Sequence, residues 1–284
     1  MGTIESVWDD LRPPRVEAPG ELVTVTLTGA ASANRRKSGP APEVDAPPVY
    51  YASIGPGMPE QLARLHLGLA VGTPVRCSAA VATWPADAPR LPDLITGAGF
   101  LVDRQRRTGG RWLVDARRDR TLPDFVAGGM RMLVCGLNPS LVAADAGFGY
   151  AGATNRFWPA VAAAGVVTHP RDPLAALAED GMGMTDLVKR ATPNADSLTP
   201  GEYQAGVERV QRLVEWLRPG VVVFVGLAGW RAAVDRRAAP GLQPSLFGGS
   251  PAYVMPSTSG RNARTPPAAL IAHFEAALAI STRA

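Results

Sequence analysis

Read from the amino-terminal end, apolar and polar positions first alternate. Leu22-Val23-Thr24-Val25-Thr26-Leu27 has the two-residue period of a half-buried strand. Residues 29–49 are rich in Ala, Ser, Pro and basic side chains and predict a loop or linker. From Pro59 to Leu69 the leucines at 62, 65 and 69 recur at helical spacing. Val75 to Val81 predicts a strand, and Leu91 to Gly97 a short helix closed by Gly97-Ala98-Gly99. Phe100–Asp103 and Arg111–Arg117 predict two further strands.

From Pro123 the pattern changes. Met130–Cys135 predicts a strand and Asn155–Ala164 a helix with Phe157 and Val161 on one face. Thr185–Val188 predicts a short element after Gly181-Met182-Gly183-Met184. Glu202–Leu217 is the clearest helix, with one apolar stripe through Tyr203, Val207, Val210, Val214 and Leu217. Thr199 is its expected N-cap, Pro200 its first residue and Pro219 its stop. Val221–Gly226 is an unbroken apolar run, as in a strand covered on both faces. Ala252–Met255 is the last strand, and a helix opened by Pro266 turns Leu270, Ile271, Phe274 and Leu278 inward. Such alternation implies an α/β fold, with a mostly parallel sheet between helical layers.

Composition narrows the chemistry. The chain has 284 residues, 46% of them hydrophobic, which suffices for a core. No apolar run approaches the roughly 18 residues of a membrane span, and Met1–Asp10 has neither a basic start nor an apolar h-region. A cytoplasmic protein is expected. Two cysteines and three scattered histidines (His66, His169, His273) offer no clustered ligand set, so no metal and no cofactor are expected. The net charge of +4, carried almost wholly by arginine, suits a polyanionic partner.

Two polar loops follow two apolar strands: Gly136-Leu137-Asn138-Pro139-Ser140 and Pro256-Ser257-Thr258-Ser259-Gly260-Arg261. In open α/β sheets ligands bind where strands end, so both are candidate walls of one site. The first loop, followed by Gly147-Phe148-Gly149-Tyr150 and Asn155-Arg156-Phe157-Trp158, resembles the first motif of the mismatch-specific uracil/thymine-DNA glycosylases. Gly183–Val188 is similar to their middle motif, and Met255–Arg261 resembles their DNA-penetrating loop. The resemblance covers roughly residues 128–280. It implies a three-layer α/β/α glycosylase domain over 126–284, preceded by a smaller α/β domain over 1–125.

The resemblance also implies roles. Asn138 would be the catalytic residue that positions water; a carboxamide orients water but hardly deprotonates it. Gly136, Leu137, Ser140, Tyr150, Asn155 and Asp186 would bind substrate. Tyr150 would stack on the flipped base, and amides near Ser140 and Tyr150 would meet the uracil edge. Asn155 at a helix start is equally suited to capping. Asp186 stands where relatives often carry an amide or lysine; an acid could accept the uracil N3–H, would repel a departing anion unless protonated, or could merely cap a helix. Ser257, Thr258, Ser259, Gly260 and Arg261 would contact DNA, with Arg261 as the plug.

The implied partner is double-stranded DNA carrying G·U or G·T mismatches, bound by a monomer in the cytoplasm at the nucleoid. Asn138 and Met255 stand where the highly active uracil enzymes have Asp and His, which points to the slower, mismatch-directed class. Other readings are a non-catalytic nucleic-acid-binding protein and a methyltransferase with an accessory domain. Leu65–Leu101 is similar to the second half of a class I methyltransferase. Ile54-Gly55-Pro56-Gly57 reads as a turn rather than a methyl-donor loop, so the first domain is expected to be non-catalytic and to pack on the second or add DNA contacts.

Overall fold

The computed structural model describes residues 22–29 and 49–281. Most of the expected linker, and the first ten residues, lie outside them. The chain divides into two compact units, one holding residues up to 86 and 90–119, the other 87–89 and 120–284.

The first unit contains β1 (Val23–Gly29), β2 (Val49–Ile54), α1 (Met58–Gly68), β3 (Pro74–Ala80), α2 (Leu91–Gly97), β4 (Phe100–Thr108) and β5 (Arg111–Arg118). The sheet order is β2-β1-β3-β5-β4. β1 lies parallel to β2 and β3, whereas β5 is antiparallel to both its neighbours. β2 was not anticipated, and β4 runs five residues beyond the expected Asp103. Three arginines, a glutamine and a threonine fill that extension, which hides it from a hydrophobic pattern. Its hairpin closes through Gly109 and Gly110, both at positive φ, as a two-residue turn between twisted strands requires. Gly55–Gly57 forms the expected turn, between β2 and α1.

The second unit contains β6 (Met132–Gly136), α3 (Leu141–Ala146), α4 (Phe157–Ala163), α5 (Pro173–Ala178), β7 (Met182–Asp186), α6 (Pro200–Leu217), β8 (Val222–Val225), α7 (Leu227–Ala233), β9 (Gly241–Leu242), β10 (Ala252–Met255) and α8 (Pro267–Ser281). Its sheet order is β7-β6-β8-β10-β9, parallel except for the short edge strand β9. β6, β8 and β10 are buried at every position, so both sheet faces are covered. Both units are therefore α/β, and the second has the sheet-between-helices architecture expected. No described helix is long and apolar enough to cross a membrane.

Three helices escaped the pattern. α3, α5 and α7 have only six or seven residues, too few for a 3.6-residue period to repeat. The expected Thr185–Val188 element is the strand β7, which begins at Met182. Gly183 within it has the sulfur of Met130 where a Cβ would lie, so packing rather than propensity places it in the sheet. In α8, Leu270 and Phe274 are buried as expected, but Ile271 and Leu278 are only half-buried and Ala277 takes the inner position.

The strand order fixes where a site can form. From β6 the chain crosses to β7 on one side, then to β8 on the other. Connections leaving in opposite directions open a crevice at the carboxyl ends of adjacent strands. Here those ends are Gly136 and Val225.

α6 carries the full capping box: Thr199 Oγ1 accepts from Glu202 N at 3.3 Å, and Glu202 Oε2 accepts from Thr199 N at 2.9 Å. Thr199→Ala is expected to cost about 1 kcal/mol, measured as a lower urea midpoint for the unfolding of this unit.

Candidate active site

A cleft of about 780 Å³ opens at this switch point. All twelve candidate residues line it, from the loop after β6, the Tyr150–Asn155 segment, the end of β7 and the loop after β10. Sequence separations of more than 100 residues are closed by the parallel order β7-β6-β8-β10.

Asn138 follows β6 by two residues and is half-buried. Its Nδ2 donates to Thr192 Oγ1 at 2.7 Å, to Arg190 O at 3.0 Å and to Pro139 O at 3.2 Å. Two of these partners are carbonyls, which accept and never donate, so the amide orientation is determined. Oδ1 accepts from no described residue and is left as an acceptor at the cleft. Thr192 was not singled out from the sequence; its hydroxyl passes the contact on to Asn194 O at 2.7 Å.

Gly136 closes β6. A methyl group there would collide with Asp186 Oδ1 and lie 3.0 Å from the Tyr150 hydroxyl. A side chain is excluded because two polar groups occupy its place. Tyr150 takes a left-handed backbone, φ 59°, uncommon for an aromatic residue. Its ring stacks on Phe157 at 4.0 Å and 12°, so one face is backed by the core and half the residue remains at the cleft. Its hydroxyl is buried and bonds to nothing among the described residues.

Asp186 ends β7 and caps no described helix, in contrast to the capping alternative. Its carboxyl makes no hydrogen bond to a described residue, while its main-chain oxygen accepts from Arg209 at 2.6 Å. Burial is the main cause that pushes its pKa up to about 6. Lys189 and Arg209 pull it down and Asp124 pushes it up. Beneath it lies a buried ionic cluster that sequence reading missed. Asp124 accepts from Lys189 Nζ at 2.9 Å, Arg209 Nη1 at 2.5 Å and Thr185 Oγ1 at 2.7 Å. Burial raises the Asp124 pKa, but Arg209 and Lys189 outweigh it and hold the group below the usual carboxylate range. Arg209 sat on the buried face of a clear amphipathic helix, and a charge there was the available signal.

The remaining candidates divide by orientation. Ser140 Oγ accepts from Ala143 N and caps α3. Asn155 Oδ1 accepts from Phe157 N at 3.0 Å and from Thr258 Oγ1 at 2.9 Å, so it joins the start of α4 to the serine-rich loop. Thr258 is 1% exposed, which corrects its expected place at a DNA-facing surface: its side chain turns inward to Asn155. Ser257 and Ser259 are half-buried and accept main-chain N–H groups two residues on. Gly260 and Arg261 are exposed, and the Arg261 guanidinium bonds to no described residue. Arg156 braces the loop through Asn262 O, Thr265 O and Ser259 O.

A family model, the uracil DNA glycosylase superfamily, matches residues 123–279, more than half of the chain. The chain belongs to the uracil DNA glycosylase superfamily. The superfamily's members are DNA glycosylases, hydrolases that act on DNA in its repair. Its matched span contains every residue of the cleft except Leu122. Among solved structures the chain aligns with an Alphavirus P23pro-zbd at 10% identity and a TM-score of 0.20, over 92% of this chain and 49% of that one. The chain spans about half that structure's length.

The raised pKa of Asp186 has a sign. Its folded value, about 6, exceeds the unfolded value near 3.9. The group therefore favours the fold fully below pH 4, and that contribution is lost as pH rises through 6. Asp186→Asn is expected to raise stability at pH 8, by at most about 3 kcal/mol before solvent screening, and to leave it unchanged at pH 4. Thermal melts at both pH values measure this.

Proposed function

We propose that this protein is a monofunctional DNA glycosylase that flips uracil, and secondarily thymine, out of pairs with guanine and hydrolyses its N-glycosidic bond. The observation that carries the proposal is the Asn138 amide, its Nδ2 held by two carbonyls and a hydroxyl and its Oδ1 left over at the floor of a cleft. An oxygen so held accepts a hydrogen bond from one water molecule and aims that water's lone pair at C1′. Asn138 does not take up the proton as a base: the C1′–O bond forms as the C1′–N bond breaks, and the proton the water sheds passes through solvent to the departing pyrimidine anion. The barrier then falls mainly by stabilising the departing pyrimidine anion.

The residues around it divide that work. Tyr150, backed by Phe157, offers its open face to the base, with stacking worth about 1–3 kcal/mol. Asp186 acts in its protonated form, donating a hydrogen bond to a pyrimidine carbonyl whose negative charge grows as the bond breaks. Above pH 6 the same group is an anion and opposes the leaving group. The exposed Arg261 at the tip of the braced loop enters the space the base vacates and pairs with phosphate. Monofunctional chemistry fits the lysines: Lys189, one of two in the chain, is bonded to Asp124 and does not line the cleft, so it is no free amine for attack on the sugar. Lys37 lies outside the described residues.

A second reading, a methyltransferase-like ancestry for the first unit, is favoured by its sheet, in which one strand runs antiparallel between a parallel neighbour group and the edge.

Asn138→Ala is expected to slow single-turnover release of uracil from a G·U duplex by about 100-fold or more and to leave duplex affinity unchanged. Release is followed by alkaline strand scission; wild-type rates in the variant would remove Asn138 from the mechanism. The wild-type rate should fall as pH rises through about 6, and Asp186→Asn should flatten that profile.

A further inference from the structure

The two faces of the first unit's sheet differ in kind. Val25, Leu27, Val75, Cys77, Val114 and Ala116 are all buried, and strand alternation puts them on one face, with α1 and α2 the described helices of the unit. The register puts the intervening residues on the other face. There Arg76 on β3 pairs across to Asp115 on β5, which pairs across to Arg104 on β4. Arg106 and Arg111 lie two or more positions further along the same face, and Arg117 two positions the other way.

That face holds five arginines and, within the regular register, one acid. Asp115 does not neutralise it but pins it: Oδ1 accepts from Arg76 Nε and Oδ2 from Arg106 Nη1, each at 2.6 Å. Both guanidiniums hold the Asp115 carboxyl below the usual carboxylate range. Ser78 Oγ likewise accepts from Arg111 Nη2 at 2.8 Å. The other N–H groups of these three arginines donate to no described residue. Arg104 is exposed and unpaired among the described residues, and Arg117, half exposed, pairs with Asp103 at the bulge. A guanidinium fixed at one edge keeps its remaining fork pre-organised for a planar or tetrahedral oxyanion.

We infer that the arginine-bearing sheet face of the first unit binds the phosphodiester backbone of duplex DNA, independently of any flipped base. Neighbouring strands lie about 4.8 Å apart and same-face residues about 6.8 Å apart. An array on that scale meets several phosphates of one groove edge at once, because each DNA strand carries one charge per about 3.4 Å of axis. The contact is sequence-independent, since no described donor pattern on the face distinguishes base edges. Such a surface raises residence on undamaged DNA, where a lesion must be sought.

The test uses the full chain and an undamaged 30-base-pair duplex, with affinity followed by fluorescence anisotropy across salt concentrations. In R104A/R106A/R111A the slope of log affinity against log salt should shrink by about 2–3, with binding at least about tenfold weaker at 0.1 M salt. The matched triple Arg→Lys variant should keep the wild-type slope. An unchanged slope in the alanine variant, or equal losses in the alanine and lysine variants, would overturn the inference. So would a loss confined to single-stranded RNA of the same length. Uracil release at saturating protein should be the same in all three proteins. Absence of release in wild type would strike the glycosylase proposal alone, since the slope is read on DNA with nothing to excise.

Discussion

One buried carboxylate organises the cleft. Asp124 is 2% exposed and satisfies Lys189, Arg209 and Thr185 together. These come from the segment ahead of β6, the loop after β7, the middle of α6 and β7 itself. An ion so placed is costly to desolvate, and losing Asp124 would leave two buried cations without it. The cluster therefore joins four segments through one carboxylate. Its effect reaches the site directly. Thr121 donates to the Lys189 carbonyl, Arg190 supplies the carbonyl that accepts from Asn138, and Arg209 takes the carbonyl of Asp186.

The same cluster explains why two acids of one site titrate in opposite directions. Lys189 and Arg209 are committed to Asp124, whose pKa they lower. Asp186 feels both cations but bonds to neither through its side chain, so burial prevails and its pKa rises to about 6. Gly136 completes this arrangement by having no Cβ where the Asp186 and Tyr150 oxygens approach. The cleft floor thus carries three polar groups without partners among the described residues, the Asp186 carboxyl, the Tyr150 hydroxyl and Asn138 Oδ1, which is costly unless a ligand supplies them. The serine-rich loop is the opposite case. Thr258, Asn155 and Arg156 satisfy its inner groups, so only its tip is free to meet a partner.

The resemblance to the superfamily and the convergence of two strand-end loops were legible in the chain because they rest on local signals. The Gly136–Ser140, Gly183–Val188 and Met255–Arg261 motifs that carry the resemblance, the Thr199 cap and the uninterrupted Val221–Val225 run need no knowledge of distant contacts. The arginine-rich end of β4 and the short helices α3, α5 and α7 were not legible. Neither offers an apolar period, and each depends on a neighbour to be stable.

By itself the sequence determined that the loops after β6 and β10 open at one end of the sheet, since loop position follows from strand ends. Tertiary structure alone decided what the cleft residues can do. Asp186 could have been a cap, an anion or an acid; the burial that chooses among these comes from segments far along the chain. Thr258 looked like its neighbours until Asn155, 103 positions away, drew it inward. Asp124 and Arg209 are 85 residues apart, and no periodicity within either segment encodes that pairing. Periodicity reports which side of an element is dry, whereas charge state and hydrogen-bond direction depend on what another element brings to that side.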